Sequence, residues 1–300
     1  MNYQRTKFLK YCKWIGGIAA SATVSVVVAN YSTTSASTSY SSSWTPTKPS
    51  NVPDTFGKWD YNWDKREPYS LLTKSKSTKS ECDNDLSISE QLEKHRSKAS
   101  RHIFLIRHGH FHTAGEIDRE QDLTKTGKTQ AQLTGKRLKD SGIIFTSFRS
   151  SLMRRAMQTA EIMWKELEQD NIAIEAHDPL LLEGYPCSPE PPVGGGGPSI
   201  SRYYEDGPRI EATFRKYFHR ADPDQEEDSF EIIVSHSNVI RYCVCRALQV
   251  PGEAWHRLSL NNCSITFLSI LPNGRVILRA LGDSGHMPVD LHTTKYAICD

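Results

Sequence analysis

The strongest constraint on this chain is a short apolar run, Ile103-Phe-Leu-Ile106, that ends directly on Arg107, His108 and Gly109. With no polar residue in alternation, it reads as a strand buried on both faces, the kind a parallel sheet uses. Ligands of open α/β sheets gather beyond the carboxyl ends of such strands. This strand delivers a guanidinium with forked donors, an imidazole that can act as a nucleophile, and a glycine that lets backbone approach an anion. Alone, Arg-His-Gly is common enough to arise by chance. A second run, Ile232-Ile-Val-Ser-His236, ends on a second histidine.

Two more stretches lie between them. Thr124-Lys-Thr-Gly127 follows Leu123 and opens an amphipathic segment through Gln130, Ala131, Leu133 and Leu138, and Arg155-Ala-Met-Gln-Thr159-Ala160 opens another. Periodicity predicts strands over 102–107, 143–148, 172–176 and 231–236, and helices over about 125–141, 152–169, 201–219 and 238–248. A hairpin, Ser264 to Ile270 and Val276 to Leu281, turns at Pro272-Asn-Gly274. The alternation of strand and helix is that of an α/β fold. A loop holding Pro186, Pro189, Pro191, Pro192 and Gly194 to Gly197 is expected to admit or exclude substrate.

Taken in order, Arg-His-Gly, Leu-Thr-x-x-Gly-x-x-Gln-Ala, Arg-Ala-x-x-Thr-Ala and Val-Ser-His resemble the histidine phosphatase superfamily over roughly the last two thirds of the chain. The resemblance implies a phosphoglycerate-mutase-like fold: a three-layer αβα sandwich on a mostly parallel sheet, working without a cofactor. It implies that His108 is the nucleophile, that Arg107 and Arg155 hold phosphate, and that His236 binds the phosphoryl group. Arg154 is the rival of Arg155, but only Arg155 keeps the spacing to Ala156 and Thr159. Glu183, in Leu180-Leu-Leu-Glu-Gly184, matches the proton donor, with Glu116 as second candidate. To donate, Glu183 must stay partly protonated, so burial is expected to raise its pKa.

His108, His110 and His112 also invite a metal reading, because alternate strand residues share a face. The strand ends at Arg107, however, and no further ligand follows, so no metal is expected. Small-metabolite mutases of the superfamily often carry Asn six residues after the nucleophile, where this chain has Ala114. The reading is a phosphatase of protein Ser/Thr, and of His, that is activated by multimerisation. The alternatives are a phosphoglycerate mutase or sugar bisphosphatase, and a catalytically dead membrane scaffold.

The first third of the chain carries a different message. Arg5, Lys7, Lys10 and Lys13 precede an uncharged stretch from Trp14 to Ala29, and no acidic residue appears before Asp54. About sixteen residues is at the short edge of a membrane span. Ser/Thr abundance, missing acids and scattered thiols favour a mitochondrial address over secretion. Residues 1–30 are therefore expected to be a targeting and single-pass membrane segment, with the outer mitochondrial membrane favoured over the inner. Residues 31–99 are expected to be a flexible linker, and residues 100–300 the phosphatase domain, with a draped tail from about 286. Within the linker, Trp59-Asp-Tyr-Asn-Trp-Asp64 resembles a Trp-Asp-x-Asn-Trp-Asp multimerisation motif known in a mitochondrial branch of the superfamily. That implies a homo-oligomer joined through Trp59, Asp60, Asn62, Trp63 and Asp64, acting on phosphoproteins that include stress-signalling kinases. Docking on another chain is preferred to folding back, since exposed aromatics seek a partner. The net charge of +2, without a dense basic block, gives no reason to expect nucleic acid. Seven scattered cysteines read as reduced core thiols.

Overall fold

The computed structural model describes residues 57–76, 87–113, 121–192 and 198–294. The chain divides into two units, residues 1–59 and 60–300. Of the first unit only residues 57–59 are described, and they lie outside helix and strand. The expected membrane segment and most of the linker lie outside the described residues. Among the described residues no helix is long and apolar enough to cross a membrane.

The second unit is built on one six-stranded sheet in the order β3-β2-β4-β1-β5-β6. Its strands are β1 (Arg101–Arg107), β2 (Ser147–Ser151), β3 (Ile174–Asp178), β4 (Ser229–Ser235), β5 (Ile265–Ile270) and β6 (Val276–Asp283). The first four run parallel, and β5 and β6 join antiparallel as the predicted hairpin, so the sheet is mixed. Strand β1 is buried along its whole length, as its unbroken apolar run requires. Phe104 stacks on Phe267 at 4.2 Å and meets Phe145 edge-on at 5.3 Å, which fixes the centre of the core.

Helices α3 (Lys125–Asp140), α4 (Arg154–Leu167), α5 (Ile200–Tyr217) and α6 (Ser237–Ala247) connect these strands. Helix α3 packs on α4, and α5 on α6. From β1 the chain crosses toward β2 and β3, whereas from β4 it leaves toward β5. The crevice between the carboxyl ends of β1 and β4 is therefore a topological switch point, where open α/β sheets bind ligands. Their register pairs Arg107 with Ser235, so His108 and His236 emerge side by side.

The bounds of β2 differ most from expectation. The apolar run Ile143-Ile-Phe145 is not a strand: Phe145 is fully buried, Ile144 is 64% exposed, and β2 begins only at Ser147. Strand β2 is Ser-Phe-Arg-Ser-Ser; Ser147, Ser150 and Ser151 are buried, the last two at the end beside the crevice, while Arg149 is partly exposed.

The expected flexible linker is also partly ordered. Residues 68–76 and 88–94 form α1 (Pro68–Lys76) and α2 (Ile88–Lys94), the latter with a Ser87/Glu90 capping box. The motif residues Asp60 to Asp64 fold back on their own domain. Trp63 is buried, its Nε1–H donates to the Gly274 carbonyl at 2.8 Å, and its ring lies 5.7 Å from Phe214 of α5. Asp64 accepts from Arg220 through Nη2 (2.6 Å), Nε (3.1 Å) and the backbone N–H (2.8 Å). Asn62 accepts from the Glu67 amide and donates to Ser70, setting the turn into α1. The partners of Trp63 and Asp64 come from the β5–β6 turn and the segment after α5, more than 140 residues away. Local composition could not announce them.

Candidate active site

Each parallel strand delivers part of the site. Beyond β1, His108 is 2% exposed and its Nδ1 lies 2.8 Å from the Gly109 carbonyl. A carbonyl only accepts, so Nδ1 carries the proton and Nε2 keeps its lone pair. The Nε–H of Arg155 approaches that Nε2 at 3.4 Å. Burial, then Arg155 and Arg107, hold the His108 pKa well below its ordinary value, so the ring is neutral at pH 7.

Beyond β4, the His236 ring centre is 5.0 Å from that of His108. Ser151, at the end of β2, lies 2.8 Å from His236 Nε2 and accepts from the Met153 amide at 3.3 Å. This bond forms with the His236 proton on either ring nitrogen, since a hydroxyl can donate once and accept twice. The other ring nitrogen, Nδ1, is buried without a partner. Burial, then His108, Arg155 and Arg107, keep this ring neutral too. The Nε of Arg107 is also buried without a partner, while its Nη1 donates to the carbonyls of Leu260 (2.6 Å) and Thr294 (2.7 Å). Burial lowers the Arg107 pKa to about 10, so the group stays cationic. Arg107 Nε, a cationic donor buried without a partner, is the kind of group an anionic ligand would satisfy.

The residues that carry the sequence motifs hold the backbone around His108. Gly109 N–H donates to Thr159 Oγ1 at 3.0 Å, and His110 N–H donates to Gln130 Oε1 at 2.9 Å. Thr124 caps α3 through the Gly127 amide. A Cβ on Gly127 would sit 2.0 Å from the His110 carbonyl oxygen, so only glycine allows this approach. Arg155, at the start of α4, is 3% exposed and stacks over Phe111 at 4.6 Å. Arg154 points away, with a half-exposed side chain paired to Asp122 at 2.5 Å. Of the two arginines, the structure brings Arg155 to the site.

Glu183 lies on the segment after β3 and accepts from the Gly184 amide at 3.2 Å. Burial raises its pKa, opposed by Arg155, the Gly184 amide, Arg107 and Arg241. Glu116 and Ala114 lie outside the described residues. His110 pairs with Thr124 Oγ1 and His112 is exposed. Among the described residues no three His, Cys, Asp or Glu side chains could hold a metal ion.

Three contributors were missed in the sequence. Ser151 stands four residues before Arg155 but looks like part of a polar loop. Arg241 lies within the turn after His236 and reaches the Leu258 carbonyl at 3.0 Å. The tail binds the site through residue 294: Thr293 donates to Asn262, and Asn262 donates to the His108 carbonyl.

Residues 103–180 and 198–281 match the family model of the histidine phosphatase superfamily (branch 1). The chain is 51% identical to the serine/threonine-protein phosphatase PGAM5, mitochondrial, of Mus musculus over 78% of its own length and 80% of that protein. Identity to the Homo sapiens protein of the same name is 50%, over 78% of this chain and 79% of that one. Among solved structures, a phosphoglycerate mutase from Plasmodium falciparum is 34% identical, covers 64% of this chain and 96% of its own, and aligns with a TM-score of 0.45. With two histidines and two arginines gathered from three separate motifs, and with the family model and both mitochondrial phosphatases matching more than half of its length, the chain belongs to the histidine phosphatase superfamily.

Proposed function

We propose that the chain is a mitochondrial protein serine/threonine phosphatase that works through a phosphohistidine on His108. The observation that carries this reading is the neutral His108, with its proton on Nδ1 and its Nε2 lone pair met only by the Arg155 Nε–H at 3.4 Å, in a ring 5.0 Å from that of His236. A phosphomonoester there meets a nucleophile on one side and donors around its equatorial oxygens, the requirements of phosphoryl transfer. Nε2 bonds to phosphorus as the P–O bond to the leaving group breaks. Glu183 gives its proton to the departing alkoxide. In the second half, the Glu183 carboxylate takes a proton from water, the water oxygen bonds to phosphorus, and the P–N bond returns its electrons to His108. No metal or cofactor takes part.

The relatives named above support protein Ser/Thr as substrate and mitochondria as location. To the same reading belong a three-layer sandwich, an outer-membrane anchor in residues 1–30, self-association through Trp59 to Asp64, and phosphoproteins, stress-signalling kinases among them, as partners. A substrate profile of the full chain tests it. Phosphoserine and phosphothreonine peptides should be turned over with kcat/KM at least tenfold above that for 2- or 3-phosphoglycerate. Efficient interconversion of phosphoglycerates with inert phosphopeptides would replace this reading with a mutase.

A further inference from the structure

The segment that carries Glu183 has no strand neighbour. After a single 3-10 turn at Pro179–Leu181 it runs without regular structure, yet its backbone is satisfied by side chains of other elements. The Leu180 carbonyl accepts from Arg209 Nη1 (2.9 Å) and Thr213 Oγ1 (2.6 Å), and the Leu181 carbonyl from Ser235 (3.0 Å). The Leu182 carbonyl accepts from Arg209 Nη1 (2.6 Å), that of Glu183 from Arg209 Nη2 (3.0 Å), and that of Gly184 from Asn238 (3.0 Å). Asp206, one helical turn before Arg209, pairs with its Nη2 at 3.2 Å and accepts from the Tyr185 amide at 3.1 Å. Three of the five carbonyls thus accept from one guanidinium, and Leu180 alone of the three has a second donor. Gly184 completes the fit, since a Cβ there would lie 2.5 Å from both Arg209 Nη2 and the Asp206 carboxyl carbon.

We propose that Arg209 is a positioning residue for phosphoryl transfer: by gripping the carbonyls of Leu180, Leu182 and Glu183 it fixes the backbone on which the Glu183 carboxyl faces the phosphoryl site. The inference rests on Glu183 being the proton donor. Partly buried carbonyls deprived of their donor turn to water, so without Arg209 the segment opens. Opening also hydrates the carboxyl and removes the burial that raises its pKa.

The test compares two esters with the full-length chain: a phosphoserine peptide, whose alkoxide needs a proton to leave, and p-nitrophenyl phosphate, whose phenolate leaves unaided. The value read is kcat/KM, which reports phosphorylation of His108. Arg209→Met should lower it at least about tenfold on the peptide and less than threefold on the aryl ester, and move the alkaline limb of the peptide profile to lower pH. Glu183→Gln should show the same discrimination more strongly, and adding Arg209→Met to it should cost no more than a further twofold, as expected for two residues acting through one group. Gly184→Ala, which keeps the arginine but displaces its guanidinium, should reproduce the Arg209→Met pattern even if Arg209→Met folds poorly. If Glu183→Gln discriminates between the esters while Arg209→Met and Gly184→Ala slow both equally, the positioning role is overturned and the acid stands. If Glu183→Gln fails to discriminate, the acid assignment falls and the positioning role falls with it.

Discussion

Replacing His108 with Ala is expected to lower turnover of every phosphomonoester by at least about 10⁴-fold, the scale of losing a covalent nucleophile. The neighbouring groups cannot substitute. His236 Nε2 is tied to Ser151 Oγ at 2.8 Å. His110 is engaged with Thr124. Steady-state assays on phosphoserine peptide and p-nitrophenyl phosphate, with thermal unfolding to verify the fold, check this. Activity within tenfold of wild type would mean that water, not an imidazole, attacks. The pH profile follows from the same environment. His108 is held neutral well below its ordinary pKa of 6.5, so the acid limb of kcat/KM should lie well under that value. On phosphoserine peptide the rate should fall on the alkaline side as Glu183, raised above 4.5, loses its proton.

Asp64→Asn is expected to destabilise the domain by about 3–5 kcal/mol, because it leaves the buried Arg220 guanidinium without its counter-charge. The Asp64 side chain is fully hidden and that of Arg220 is 3% exposed. Hydrogen bonds from Arg220 outweigh burial and hold the Asp64 pKa below 3.8. A depressed carboxyl contributes stability above its unfolded pKa and loses it as pH falls through the lower folded value, so the difference between wild type and Asp64→Asn should shrink below about pH 4. Trp63→Ala should cost a similar amount, about 3–5 kcal/mol, through the lost ring and the unpaired Gly274 carbonyl. Denaturant titrations at two protein concentrations measure both. Losses under about 1 kcal/mol would show that the motif does not seat on its own domain in solution. Because Trp63 is committed within the chain, Trp59→Ala is the cleaner probe of self-association in sedimentation; unchanged mass would remove Trp59 from any interface.

The chemistry was legible in the sequence where one strand or helix end carries it. Arg107, His108, Arg155 and His236 each terminate or begin a regular element, and the apolar runs of β1 and β4 imply two strand ends at one crevice. What the sequence hid depends on distant pairing. Strand β2 is polar because its residues meet His236, Glu231 and their neighbours, so its start was misplaced onto the apolar Ile143 to Phe145. The Trp-Asp pair at residues 63 and 64 looked like an exposed docking motif because Gly274, Phe214 and Arg220 are remote in sequence. Arg209 gave no signal at all: its role exists only because the Glu183 segment lacks a strand to take its carbonyls.

The account stands on His108 Nε2 as the phosphoryl acceptor. The most direct measurement is to mix the full chain with saturating phosphorus-labelled phosphoserine peptide, quench in alkali within one turnover, and locate the label by peptide mapping. The account predicts acid-labile phosphate on His108 in the wild-type chain and none in His108→Ala. Continued turnover with no trapped phosphate, or label on any other residue, would contradict it.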